Sequence, residues 1–272
     1  FNSLLSSLFY NTVEGGLLNL TPIYTKRYSD KKSIIVSPNI RFGFGNNQWH
    51  SSLGINYTYG KKYPRSVNFS AGNNVFQYNN DQTISPFLNS IVTLATTNNY
   101  LKIYEAGFFK IGYNTGLGNG ISFGLDFQFQ NRQPLNNLPD LPSWKTNPDK
   151  AYTPNFPIEI SNSNMPANKA SVVNMRISWR PGSKYIETPN QKMNIGSKYP
   201  IFGLTITKGI QGLLGSDVFY TKWRFSINDN LNLKLYGRLN YNLTVSGFTN
   251  STKAFIPDYQ HYQGNQLILS TA

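Results

Sequence analysis

The sequence predicts an all-β protein, a transmembrane antiparallel β-barrel of the outer-membrane type, with about ten or eleven strands present and the barrel incomplete. Three observations carry this expectation. Apolar and polar residues alternate with a period of two over stretches of strand length. Charged residues make up only 14% of the chain while aromatic residues reach 15%. No apolar run approaches the roughly 20 residues that a membrane helix needs.

The clearest alternation runs from Ile34 to Phe44, where Ile34, Val36, Pro38, Ile40 and Phe42 share one face and Ile35, Ser37, Asn39 and Arg41 the other. Asn46-Asn47 marks a turn. Trp49, Ser51, Leu53, Ile55, Tyr57 and Tyr59 then alternate with His50, Ser52, Gly54, Asn56 and Thr58, which makes a hairpin. Ile121, Phe123, Leu125, Phe127 and Phe129 alternate with Ser122, Gly124, Asp126, Gln128 and Gln130. Leu231, Leu233, Leu235, Leu239, Tyr241 and Leu243 read as one further strand opposite Asn232, Lys234, Tyr236, Arg238, Asn240 and Asn242. Weaker patterns cover Leu18 to Tyr28, Val67 to Ala71, Leu101 to Tyr113, Val173 to Trp179, Phe202 to Ile206 and Phe219 to Ile227, and another strand begins near Gln266. Strands of 9–11 residues at a tilt match the hydrocarbon thickness, whereas soluble sandwiches use strands of about five or six. No internal repeat or domain boundary interrupts residues 1–272, which read as a single barrel segment.

Composition bounds the function classes. Cysteine is absent, which removes thiol catalysis, thiolate metal sites and disulfides. The net charge is +13, but Lys and Arg are scattered singly, with no run beyond Lys31-Lys32 and Lys61-Lys62, so no nucleic acid is expected as a partner. Lipid and lipopolysaccharide of a Gram-negative outer membrane fit better. The chain opens at Phe1 without a signal peptide and closes just after a strand-like run, so it reads as an incomplete stretch of a longer exported protein.

Numbering the connections alternately gives two sets, one shorter on average than the other, with 182–199 and 46–48 departing from the rule. The short set is 29–32, 60–65, 115–120, 182–199 and 228–230; the long set is 46–48, 79–99, 131–168, 209–217 and 244–265. Barrels keep short turns inside and long loops outside, which places the long set at the external end. The Pro-rich stretch 131–168 is too long for an idle linker. Phe42, Phe44 and Trp49 fall near one rim, Tyr57, Tyr59 and Trp179 near the other, as aromatic girdles do.

The same alternation assigns directions. Ile40, Phe42, Leu53, Ile55, Phe123, Leu125, Phe127, Ile177, Leu233, Leu235 and Leu239 are expected to face lipid. Arg41, Lys102, Lys110, Arg176, Arg180, Lys222, Arg224, Lys234 and Arg238 are expected to face the lumen. A basic lumen either attracts anionic solutes or pairs with carboxylates on strands or on a plug from elsewhere. His50 and Ser52 share a strand face and would suit a lipase dyad, but on the side away from lipid. His261 has no second His at metal-ligand spacing, and Gly43-Phe44-Gly45 lacks the rest of a dinucleotide fingerprint. No catalytic, metal or cofactor site is expected.

Several stretches resemble a family of outer-membrane barrels of unknown function whose members usually follow a carboxypeptidase-regulatory-like, transthyretin-type domain. They are Phe9-Tyr10-Asn11-Thr12-Val13-Glu14-Gly15, Ile84-Ser85-Pro86-Phe87-Leu88-Asn89, Tyr152-Thr153-Pro154-Asn155-Phe156-Pro157, Gly196-Ser197-Lys198-Tyr199-Pro200, Lys222-Trp223-Arg224-Phe225, and the stretch from Ile256 to Gln266. The resemblance implies the fold and the envelope location, with an N-terminal periplasmic portion and the final barrel strands outside this stretch, and it implies no activity. The expected role is non-enzymatic: transport, envelope assembly or a scaffold in an outer-membrane complex with other outer-membrane proteins or lipoproteins. The alternative is a surface interaction protein that the barrel anchors, and a lipid hydrolase using His50 and Ser52 comes third.

Overall fold

A computed structural model describes residues 7–29, 32–60, 62–79, 84–139, 141, 151–157, 165–188 and 191–261. The strand expected near Gln266 lies outside them. Among these residues the chain is all-β and antiparallel. The strands are β1 (Leu8–Asn11), β2 (Gly15–Leu20), β3 (Tyr24–Ser29), β4 (Lys32–Gly43), β5 (Gln48–Tyr59), β6 (Arg65–Gln77), β7 (Ile103–Gly118), β8 (Ile121–Pro134), β9 (Asn168–Trp179), β10 (Lys184–Thr188), β11 (Gln191–Gly196), β12 (Ile201–Gly209), β13 (Phe219–Asn232) and β14 (Arg238–Lys253). A helix, α1 (Pro86–Thr96), lies between β6 and β7. No helix among the described residues is long and apolar enough to cross a membrane.

One sheet runs in the order β1-β2-β4-β5-β6-β7-β8-β9-β12-β13-β14, with β3 also on β4, and β10–β11 form a separate hairpin. Each strand pairs with its neighbour in the chain apart from that excursion, so the sheet is a meander. The stretch expected from Leu18 to Tyr28 is β2 and β3, both laid along β4. Pairing lapses between Leu20↔Ile40 and Tyr24↔Val36, where Pro22 and Pro38 stand opposite one another and neither has an N–H to give. Among the described residues β14 does not pair with β1 or β3, so the sheet is not closed.

The register makes two chemically distinct faces. Tyr57, Val67, Tyr113, Leu125, Met175, Ile206 and Trp223 stand side by side on seven successive strands. The adjacent row, on the opposite face of the same strands, is Asn56, Asn68, Gly112, Asp126, Asn174, Thr207 and Lys222. Large apolar side chains on the first face are exposed, among them Ile40, Leu53, Phe69, Ile111, Leu125, Ile177 and Phe225. Ile55, Phe42, Phe123 and Phe127 share that face by register.

The sheet is curled around its polar face. Phe255 packs against Val218 and Tyr220 of the β13 side, and the next residue, Ile256, packs against Tyr78 and Tyr104 of the β6–β7 side. A flat sheet would put β6 and β13 about 24 Å apart at about 4.8 Å per strand, too far for neighbouring residues to span. Small residues on the inside permit the bend: a Cβ on Gly112 would run into Asn68 Oδ1.

The expected strand from Leu231 to Leu243 is two strands. β13 ends at Asn232, a 3-10 turn occupies Lys234–Tyr236, and β14 begins at Arg238. Asn232 Oδ1 accepts the Lys234 N–H at 3.0 Å, and Lys234 (φ 55°) and Gly237 (φ 98°) take the left-handed backbone that reverses the chain. Lys234 therefore leaves the lumen-facing set, and Leu233 and Leu235 leave the lipid-facing set; Leu235 is 100% exposed at the tip. The alternation continues through the turn because both flanking strands keep their own period, which disguised the reversal.

The expected connections do separate by end. The described residues of the turns at 60–64, 119–120 and 233–237 lie at one end, with the β10–β11 hairpin, while those of 44–47, 78–102, 135–157, 210–218 and 254–261 lie at the other. The stretch 244–253, expected as loop, is instead the second half of β14.

The register of β13 on β14 pairs Ser226 with Thr244. Because the chain has no native thiol, Ser226→Cys with Thr244→Cys should form an intramolecular disulfide on mild oxidation, read as a loss of free thiols. Two free thiols after oxidation would mean that residues 231–243 do not reverse.

Candidate functional site

The described residues of the long connections fold onto the open end of the sheet's polar face. Asn11 begins this cap. Its Oδ1 accepts the N–H groups of Val13 and Glu14 at 2.9 and 2.8 Å, and its Nδ2 donates to Glu14 Oε2 at 2.7 Å. Glu14 is fully buried and receives the Arg41 fork, Nε on Oε1 at 2.7 Å and Nη2 on Oε2. The carboxylate answers the first of the basic inner-face residues from within the chain.

Asparagine amides tie the rest of the cap together. Asn99 Nδ2 donates to Thr12 Oγ1 at 2.7 Å, and Asn89 Nδ2 to Asn99 Oδ1 at 2.8 Å. Asn89 Oδ1 accepts from Tyr100 and Leu101 N–H at 2.9 and 3.0 Å. Asn155 accepts the Ile103 N–H at 3.0 Å and donates to its carbonyl at 2.8 Å, as a neighbouring strand would. Helix α1 enters this network through Ser90, whose Oγ accepts the Tyr10 N–H at 2.8 Å. Its N-terminus is capped by Ser85, with Pro86 in the first turn. Burial, and then the neighbouring Tyr104 phenol, push the Tyr78 hydroxyl up to about 12, which marks the interior of this cap as dry.

A second inward segment follows β14. The turn Ile256–Asp258 carries Asp258, buried, to Arg132 Nη2 at 2.9 Å and to the Tyr220 hydroxyl at 3.1 Å. Lys222 Nζ donates to the Asp258 carbonyl at 2.9 Å, Arg224 Nη2 to Gln260 Oε1 at 2.6 Å, and His261 Nε2 lies 2.8 Å from the Ile256 carbonyl. Between this segment and the sheet remains a cavity of about 570 Å³. Its walls come from β6, β7, β8, β9, β12 and β13, which fixes it as the interior of the curl.

The expected basic residues divide by position. Lys110, Arg176, Lys222 and Arg224 all line the cavity. Asp126, on β8 between them, takes Arg176 Nη2 at 2.6 Å and has Lys110 Nζ at 3.9 Å from the same oxygen. Arg41 is in the cap. Lys102 precedes β7 and donates to the Pro154 carbonyl at 2.5 Å, so it belongs to the cap rather than to a strand. Arg180 follows β9 at the far end, bonded to the carbonyls of Tyr199 and Ser197 at 3.3 and 3.2 Å, with Asp229 at 3.5 Å. Arg238 opens β14 opposite Asn232 and is exposed. Arg132, Glu14 and Asp258 were not singled out in the sequence; a lone charge in an apolar or Pro-rich context was the available sign.

His50 is buried on the polar face, its Nε2 3.6 Å from Glu105 Oε1 and its Nδ1 without a partner. No hydrogen bond joins it to Ser52, and both stand on the side away from the exposed apolar rows. Among the described residues no group of His, Asp and Glu is placed to hold a metal ion.

Fold and site together define an all-β protein whose main antiparallel sheet curls around a polar interior that its own connections cap at one end. The chain belongs to the family of unknown function DUF5686, as its C-terminal domain, matched over residues 1–272. No curated protein and no solved structure matches it.

The buried Arg132–Asp258 pair holds the inward segment, so Asp258→Ala should cost about 3–5 kcal/mol, the penalty of stranding a buried charge. Thermal unfolding measures this, and Arg132→Met combined with Asp258→Leu should recover most of the loss. A loss no smaller in the double variant would show that the pair is not what fastens the segment.

Proposed function

We propose that this domain is the membrane-embedded part of a Gram-negative outer-membrane β-barrel, following a periplasmic carboxypeptidase-regulatory-like domain, and that its role is non-enzymatic: passage of solutes or support of an envelope complex. The observation that carries the reading is the belt of exposed apolar side chains around the outside of a curled sheet with a polar inside. Water disfavours so large a continuous apolar surface, and acyl chains do not.

The belt has the right height. Phe42, Phe44 and Trp49 cluster near the capped end, with ring centroids 5.1 and 4.5 Å apart. Tyr57 and Tyr59 stack at 5.5 Å near the other end, and Trp179 meets Phe202 at 6.1 Å. Trp49 and Tyr57 are eight residues apart on β5, about 26 Å of strand at about 3.3 Å per residue, or about 20 Å of height at a tilt of about 40°. An outer-membrane belt is about 25 Å tall between its aromatic girdles. Outward polar residues lie beyond these limits, as Asn131, Lys169 and Lys208 do at the capped end and Arg65 at the other.

Lipid does not tolerate open sheet edges, so the reading requires further strands against β14 and β3 to complete the wall. On this reading the capped end is external, facing lipopolysaccharide, and the hairpin end is periplasmic, where other outer-membrane proteins or lipoproteins would dock.

Fractionation of the native host should recover the full-length protein in the outer membrane. Leu125→Arg, on the outside, should destabilise the folded protein in bilayers by about 2–4 kcal/mol, while Asn56→Lys, on the inside, should cost far less. Recovery in a soluble fraction, or equal cost for the two substitutions, would defeat the reading.

A further inference from the structure

We propose that the inner cavity is a binding site for a small organic phosphate. Five cationic side chains line this one volume from four strands, Lys110 from β7, Arg132 from β8, Arg176 from β9, and Lys222 and Arg224 from β13, against one lining carboxylate, Asp258. The charge is not cancelled where it is densest. A single carboxylate, Asp126, serves both Arg176 and Lys110 through the same oxygen. The side chains of those two cations are 44% and 35% exposed, so a ligand within the curl can reach them. At the capped end Arg132 gives Nη2 to Asp258, while its buried Nη1 meets no acceptor among the described residues.

The geometry selects the ligand class. Donors that converge from several strands suit a tetrahedral oxyanion, whose oxygens point in several directions, better than a planar carboxylate, which is gripped from one side by one fork. Phe76, Phe108 and Val172 supply apolar wall beside the cations, enough to cover a ring or short carbon skeleton. About 570 Å³ lies within the range of about 300–1,000 Å³ typical of small-molecule sites. The cavity opens toward the hairpin end, where a second space shares Arg176 and Thr205 as its wall. Entry from that end therefore passes a guanidinium. The site rests on the curled sheet and not on the membrane reading, since a water-soluble protein with this interior would bind equally.

Titration calorimetry on the full-length protein in detergent tests this with three probes: glucose 6-phosphate, glucose and inorganic phosphate. Glucose 6-phosphate should bind, glucose should not, and inorganic phosphate should compete. Arg176→Gln and Lys110→Gln should each weaken binding about tenfold or more, the loss of one charge-assisted contact, while Lys234→Gln at the exposed turn should leave it unchanged. Should the cavity variants not fold, protection of Lys110 and Lys222 from acylation by glucose 6-phosphate, read by mass spectrometry on the unaltered protein, supports the same site. Equal binding of glucose, equal binding in all variants, or acylation indifferent to the ligand would overturn it. Binding confined to phosphatidylglycerol vesicles, with none of the soluble phosphates, would overturn it too, because the phosphate would then belong to a lipid surface.

Discussion

The pleat is the constraint from which the other features follow. Successive side chains on a strand point to opposite sides, so a register fixed on one hydrogen-bonded pair fixes which chemistry every later strand shows to each side. Here the register keeps Asn68, Asp126, Asn174 and Lys222 in one row and Val67, Leu125, Met175 and Trp223 in the next. A slip of one residue in any strand would carry an Asn or Asp into the apolar face and a Phe or Leu into the polar one. The curl then encloses the polar side and multiplies the consequence. Enclosed amides and charges have fewer waters to turn to, and an unmet buried polar group costs about 1–3 kcal/mol.

The chain meets that cost with its own connections. Short turns at the hairpin end leave nothing to spare, so the filling comes from the long connections at the other end. Their chemistry suits the task, because an asparagine side chain offers the same donor and acceptor as a peptide group. Asn155 occupies both the N–H and the carbonyl of Ile103 at the mouth of β7, continuing the ladder with a side chain where no further strand is available. Asn11 and Asn89 act likewise on two successive N–H groups each. Three stretches that carried the family resemblance, around Asn11, Asn89 and Asn155, meet in this one network although they are far apart in the chain.

Much of the sheet was legible in the sequence because alternation is local. The two faces of β4, β5 and β8, the long and short ends, and the inward direction of Lys110, Arg176, Lys222 and Arg224 all follow from parity alone. What parity cannot see is a reversal that preserves it. The turn at Lys234–Tyr236 kept leucines at odd positions, so the end of β13 was joined to the start of β14 in one expected strand and the reversal was expected too early, at 228–230. Helix α1 escaped for a different reason. It buries Asn89, Ser90 and Thr93 and exposes Phe87 and Ile91, the reverse of the pattern that marks a helix on an apolar core. The signal that was present, Ser85 before Pro86, is a helix start. The cap as a whole was illegible because its partners are remote in sequence: Thr12 meets Asn99, and Arg132 meets Asp258.

The placement of the acidic residues explains why so basic a chain can fold around its own cations. Glu14 sits in the cap against Arg41, Asp126 on β8 against Arg176 and Lys110, and Asp258 on the inward segment against Arg132. Glu14 and Asp258 lie outside the sheet, so each joins a connection to a strand as well as two charges, whereas Asp126 ties neighbouring strands of one sheet. Arg41 and Arg132, held one to one, are nearly enclosed and serve to fasten. Arg176 and Lys110 share one carboxylate and keep part of their surface open to the cavity. Burial and stoichiometry thus divide the basic residues into those that hold the fold and those left to meet something else. That division falls along the axis of the curl, from a fastened end under the cap to an accessible stretch toward the hairpins.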